Sequence, residues 1–318
     1  MPLKTIYIAR HGTLSWETQT WTSPTGVPRD PPLSAHGVDQ AKELGLFFKE
    51  ELEQSEGGFE KEKTMLFSSP LYRCVQTARP TSEALDLPVH IENGLGEWYL
   101  PVRKGLHPAL STSAFLAPFF PPSLLAPPSP KGEPTWMPLL TPPRTGESMR
   151  SVHLRAKRFL NAFVAELDQR GIERVIVFSH AATCIALSRA LAGDLDDLYE
   201  NDGSIDGAPE PAWNEDERLA CRAATCSVSK FDRVGTRESG GEQDQVLGKG
   251  KWDRVWNGKT DQLKGGEERH WEFSYVEEYT EDGLLDDGTE AGQTSSDNYK
   301  GLPNGGKAVP TSTVEGRL

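Results

Sequence analysis

Apolar residues follow two rhythms along the first hundred positions. "KTIYIA" is a run of β-branched and aromatic residues that stops abruptly on Arg10 and His11, the signature of a buried strand. The stretch "LSAHGVDQAKELGLFFKEEL" then places Val38, Ala41, Leu44, Phe47, Phe48 and Leu52 on one helical face, with Ser34 where an N-cap belongs. After a polar "GGFEKEK", the pattern predicts a second strand over "TMLFSS", a second helix over "RCVQTARPTSEALDL" and a third strand over "PVHIEN". Strands alternating with helices predict an α/β fold with a mostly parallel central sheet.

The rhythm fails from Pro101 to Arg144. "FLAPFFPPSLLAPPSPKGEP" carries more proline than any helix or strand interior accepts. It is also rich in Phe and Leu, so the stretch predicts an insertion lying over the domain surface, docked through Phe115, Phe119 and Phe120. A structureless loop of this length is uncommon in a compact domain. The pattern resumes at "GESMRSVHLRAKRFLNAFVAELDQRG", where Met149, Val152, Ala156, Phe159, Leu160, Phe163 and Leu167 share a helical face. "RVIVFS" predicts a fourth strand ending on His180, "AATCIALSRALAG" a helix, and "ATCSVSKFDRV" a fifth strand at the sheet edge after an acidic loop.

These signals divide the chain into a domain over residues 1–234, with the insertion at about 101–144, and a Gly- and charge-rich linker over 235–250. A C-terminal aromatic segment at 251–279 follows, where Asn257-Gly258 between aromatic runs predicts a β-hairpin. Residues 280–318 are acidic and poor in large apolar side chains, which predicts a disordered tail.

Composition narrows the function classes. No apolar run approaches the roughly 20 residues of a membrane helix, and "MPLKTIYIAR" is too short and too soon charged for a signal peptide. The four cysteines form neither a disulfide framework nor a zinc pattern, so an intracellular, reducing compartment is expected. Cys74 and Cys184, beside the strand ends, read as buried structural thiols. The net charge of −13, with no basic patch, argues against direct nucleic-acid binding.

The candidate chemistry sits at strand ends. In parallel sheets ligands bind beyond the carboxyl ends of the strands, and four successive strands end near His11, Arg73, Glu97 and His180. These residue types suit phosphoryl transfer. Arginine forks clamp phosphate oxygens, a neutral imidazole can attack phosphorus, and a carboxylic acid can protonate the leaving alkoxide and then activate water. The expected roles are His11 as nucleophile, Glu97 as acid/base, and Arg10, Arg73 and His180 as the phosphate clamp. No metal-ligand spacing is visible, and neither metal nor organic cofactor is expected.

Taken together, "IYIARHG", "FSSPLYRCVQTA", "GLGEW", "GES" and "VIVFSHAA" resemble the successive motifs of the histidine phosphatase (phosphoglycerate mutase-like) superfamily over roughly residues 3 to 232. The resemblance implies a three-layer αβα sandwich and a metal-independent phosphomonoesterase with a phosphohistidine intermediate. It carries the nucleophile onto His11, the clamp onto Arg10, Arg73 and His180, and the proton donor onto Glu97. "RHGTLSWETQTW", with Trp16 and no nearby asparagine, departs from the mutase branch. "GLGEW" is similar to the phosphatase branch, whose substrate here is unknown.

With "SPTGVPRDPPLSAHGVDQAKEL", "TCSVSKFDR" and the late "GGEERHWEF", the chain also resembles the fungal tau 55-kilodalton-type subunits of RNA polymerase III transcription factor TFIIIC. That narrower likeness implies a nuclear assembly subunit with protein partners such as a larger tau subunit. A cytoplasmic enzyme is expected otherwise.

Overall fold

The computed structural model describes residues 2–15, 21–55, 57–102, 104–129, 131–132, 134–194, 221–235 and 246–273. Trp16, the acidic loop beyond Asp194, most of the expected linker and the expected tail over 280–318 lie outside the described residues.

Strand β1 (Thr5–Arg10) leads to helix α1 (Ala35–Gln54), β2 (Thr64–Ser68), α2 (Tyr72–Leu85) and β3 (Val89–Ile91). Within the proline-rich stretch lie a one-turn helix, α3 (Ser113–Leu116), and a 3-10 turn that follows it over Ala117–Phe119. Helix α4 (Met149–Gln169), β4 (Arg174–Ser179), α5 (Ala181–Ala192), β5 (Val228–Arg233) and β6 (Trp252–Lys259) complete the order. Ser34 caps α1 by accepting the Gly37 N–H at 3.0 Å, as its position predicts.

The six strands lie in the order β3-β2-β4-β1-β5-β6. β3, β2, β4 and β1 pair in parallel, while β5 and β6 are antiparallel. Period-two alternation sends alternate residues of each strand to opposite faces, and here both faces are covered. Ile6, Ile8, Phe67, Val175 and Val177 pack with Phe159, Phe163, Leu187 and Leu191 of α4 and α5. Tyr7, Ala9, Leu66, Ile176 and Phe178 pack with Leu44, Phe48, Val75 and Ala78 of α1 and α2. The result is a three-layer αβα sandwich. Among the described residues no helix is long and apolar enough to cross a membrane.

Three expectations change. β5 is interior to the sheet, between β1 and β6, because β6 supplies the edge. Asn257-Gly258 is not a hairpin turn: β6 runs through it along β5, with register shifts flanking Lys230. β6 spends eight residues against the six of β5, and Gly258, at φ +62, absorbs one of these bulges. The insertion docks through Leu116, Phe120, Leu124, Leu125 and Trp136, whereas Phe115 and Phe119 stay 45% and 38% exposed. Its Leu125 bridges Val89, lengthening the β3 edge.

Candidate active site

β1 and β4 are neighbours in register, with Arg10 opposite Ser179. The residues that follow them, His11 and His180, therefore emerge side by side. The His11 N–H donates to the Ser179 carbonyl at 3.0 Å, and the two imidazole centroids stand 5.4 Å apart. Both rings are buried. Nδ1 of His11 lies 2.8 Å from the Gly12 carbonyl. A carbonyl only accepts, so Nδ1 carries the proton and Nε2 keeps its lone pair. Gly12 is required here because a Cβ would stand 2.7 Å from the Gly37 carbonyl oxygen.

Helix α2 brings in Arg73, which is 1% exposed. Its NH1 donates to Asp30 Oδ1 and the Arg29 carbonyl, both at 3.1 Å, and its NH2 donates to Glu97 Oε2 at 3.2 Å. The helix has no capping side chain of its own at Leu71. Asp30 fills that role from outside, accepting the Tyr72 N–H at 2.7 Å while it holds Arg73. His180 Nδ1 is 3.2 Å from both Arg73 NH2 and Glu97 Oε2, and its Nε2 is 2.8 Å from Ser69 Oγ. Glu97 reaches this point from "GLGEW", where Gly94 lies against Phe159: a Cβ on it would fall 2.3 Å from that ring.

Burial pushes the His11 imidazole well below its usual range, and Arg73, Arg10 and His180 push it further. Burial lowers His180 to about 4, with Arg73 and Arg10 adding to the shift and Glu97 opposing it. Both rings are therefore neutral at physiological pH. Burial alone would raise Glu97, but the attraction of His180 and Arg73 outweighs it and holds the carboxylate below its usual range. For Asp30 burial wins over Arg73 and raises the carboxyl.

Arg10 enters from the end of β1. Its NH1 donates at 2.6 Å to two backbone carbonyls, those of Ala223 and Arg269. The second belongs to "GGEERHWEF", which the sequence pattern sets outside the α/β core and the structure packs against the site.

All five expected residues converge. Beyond them the structure adds Asp30, Ser69 and the Arg269 carbonyl. Asp30, between Arg29 and two prolines, looks like an ordinary turn residue; nothing in the spacing marks a carboxylate with 0% exposure. Donor atoms of His11, Glu97 and His180 also lie within 4.8 Å of one another, a donor set that zinc accepts, although the sequence shows no metal-ligand spacing. With the Arg73 guanidinium 3.2 Å from two of those groups, the space is electrostatically one for an anion. Neutral imidazole, guanidinium fork and carboxylate together can accept, transfer and release a phosphoryl group.

Comparison with known proteins identifies the family of the chain. The sequence profile of the histidine phosphatase superfamily (branch 1) matches residues 6–202. The transcription factor tau 55 kDa subunit of Saccharomyces cerevisiae is 33% identical over 291 residues, covering 87% of this chain and 60% of that protein. The chain thus spans about 60% of the length of this curated relative. Among solved structures, the ecdysone phosphate phosphatase of Bombix mori is 18% identical, covering 76% of this chain and 98% of its own, with a TM-score of 0.48. A mycobacterial glucosyl-3-phosphoglycerate phosphatase is 20% identical over 80% of this chain and 98% of its own, with a TM-score of 0.45.

Proposed function

The chain belongs to the histidine phosphatase superfamily, and on that premise we propose that it hydrolyses phosphomonoesters through a phosphohistidine on His11, without a metal. The observation that carries the reading is the hydrogen bond from His11 Nδ1 to the Gly12 carbonyl. It fixes the tautomer whose Nε2 lone pair is available to phosphorus.

In the first step Nε2 forms a bond to phosphorus while the ester P–O bond breaks, with Arg10, Arg73 and His180 holding the phosphoryl oxygens. Glu97 delivers a proton to the departing alkoxide. Because Glu97 is ionised before substrate arrives, that proton enters with a monoanionic ester or is taken up as the phosphate charge accumulates beside the carboxylate. Glu97 then removes a proton from water, the oxygen attacks phosphorus, and the N–P bond breaks to free inorganic phosphate and neutral His11. Purified protein should release phosphate from a generic aryl phosphate. His11→Ala should lower that rate by orders of magnitude, and equal turnover in the variant would overturn the reading.

The identity shared with the tau 55 kDa subunit over most of the chain supports a second reading. In it the domain is a nuclear subunit of transcription factor TFIIIC, bound to a larger tau subunit, whether or not it turns over substrate. Copurification from cells in which the factor is intact tests this, and recovery of the chain without other tau subunits would count against it.

A further inference from the structure

The segment Gly265–Phe273 follows β6, passes the pocket and ends with Trp271 and Phe273 buried in the core. Its Glu268 carbonyl accepts the Thr225 N–H at 3.0 Å. The Glu268 carboxylate meets Gln40 Nε2 at 3.2 Å and His36 Nε2 at 2.7 Å. Gln40 in turn accepts both the N–H and the hydroxyl of Thr13, two residues past His11, at 3.0 and 2.9 Å.

Arg269 then takes a left-handed backbone conformation at φ +52, uncommon for a residue with a Cβ. That conformation aims its carbonyl at Arg10 NH1, 2.6 Å away. Next, His270 Nδ1 accepts the N–H of Ala223 at 3.3 Å, and Ala223 supplies the second carbonyl on Arg10. Farther on, Trp271 and Phe273 pack on Trp98 with centroids 6.3 and 5.1 Å away. Trp98 immediately follows Glu97, whose Oε1 accepts the Trp98 N–H at 3.0 Å. One strap therefore touches the clamp on one side of the pocket and the neighbour of the carboxylate on the other.

We propose that Gly265–Phe273 is a positioning element of the active site, in which the left-handed turn at Arg269 aims Arg10 at the phosphate and the Trp271–Phe273 pair braces Trp98 beside Glu97. A long arginine must otherwise lose rotamer freedom when phosphate binds, and fixing it beforehand moves that cost out of the binding step. The proposal rests on the reading of His11 and Arg10 as parts of one phosphate site.

The test uses the full chain and inorganic phosphate as the probe, with turnover of an aryl phosphate measured in parallel. Arg269→Val cannot hold a positive φ and should turn the carbonyl away, whereas Arg269→Gly keeps the conformation and should restore it. The expected result is roughly tenfold weaker phosphate binding and a matching rise in KM for Arg269→Val, the order of one lost charge-assisted hydrogen bond. Arg269→Gly should recover most of the loss. In an Arg10→Ala background the same substitutions should have no further effect, a result that a merely structural role would not give. His270→Ala, a milder change acting through Ala223, should shift phosphate affinity in the same direction and serves if Arg269→Val fails to fold. Unchanged phosphate affinity and KM in a folded Arg269→Val or His270→Ala chain, or equal losses with and without Arg10, would overturn the proposal. Strap-dependent phosphate binding in a chain whose turnover does not depend on His11 would instead leave the strap intact and sink the phosphohistidine reading.

Discussion

Acid should destabilise this protein through a histidine that takes no part in the chemistry. His153, on α4, is fully buried. Its Nδ1 donates to the Met149 carbonyl at 2.8 Å, and its Nε2 accepts from Arg189 NH1 at 3.1 Å. Only the neutral ring satisfies both contacts, since a proton on Nε2 would face a guanidinium. Burial, with Arg189 adding to it and the Met149 bond opposing, lowers the imidazole to about 3. The unfolded chain binds that proton below about pH 6.5. The contribution is therefore fully present above pH 6.5 and falls as pH drops towards the folded value, at ~1.4 kcal/mol per pH unit. Between pH 6.5 and 5 the cost is about 2 kcal/mol, a large share of a typical domain's stability. His153→Gln can donate to Met149 and accept from Arg189 but does not titrate. Urea unfolding at pH 7, 6 and 5 should show wild type losing about 2 kcal/mol more than His153→Gln over this range. Effects of the other buried histidines are common to both chains and cancel. Parallel stability curves would mean that His153 does not bind its proton more weakly in the folded chain than in the unfolded one.

Asp30→Ala takes one of two carboxylates from the buried Arg73 guanidinium, which keeps Glu97 and the Arg29 carbonyl, and leaves the first N–H of α2 without its acceptor. It should cost about 1–3 kcal/mol in denaturant unfolding, while Asp30→Asn, which can still cap α2, should cost less; equal midpoints for Asp30→Ala and wild type would contradict the pairing. Gly12→Ala forces a Cβ onto the Gly37 carbonyl oxygen and should destabilise by about 1–3 kcal/mol, with aryl phosphatase activity falling as His11 moves; a neutral substitution would mean the approach is looser than drawn. All four cysteines are buried, and burial pushes Cys74 well above its usual range and Cys184 up to about 12. Iodoacetamide at pH 8 should leave the native thiols unmodified and label them after unfolding, and rapid native labelling would show the site wall to be open.

Much of the αβα core is legible in the chain because its strands are buried on both faces and its helices carry clean apolar stripes. Ala41, Leu44, Phe48 and Leu52 on α1, and Val152, Phe159 and Phe163 on α4, are buried as their spacing requires. The proline-rich insertion is different, since without a period nothing says which aromatic faces inward. Phe120 and Trp136 dock while Phe115 and Phe119 do not. The anchor for Trp136 is Glu92, a buried carboxylate that accepts the indole N–H at 2.7 Å, and a single Glu in "PVHIEN" gives no sign of that. Asn257-Gly258 misled for a related reason: its local turn preference yields to the pairing of β6 along β5. At the site, the side chains at strand ends are visible in sequence because their chemistry is distinctive. The hold on Arg10 is not, because it comes from the carbonyls of Ala223 and Arg269, and every residue has a carbonyl.

A phosphohistidine is a covalent adduct that can be observed directly. The protein is mixed with an aryl phosphate, quenched in alkali, where phosphohistidine survives better than in acid, and digested for mass spectrometry of the peptide containing "IYIARHG". The expected result is a phosphoryl group on His11 that is absent from His11→Ala and disappears as substrate is exhausted. Phosphate release without any such adduct, or with the adduct on another residue, would contradict it.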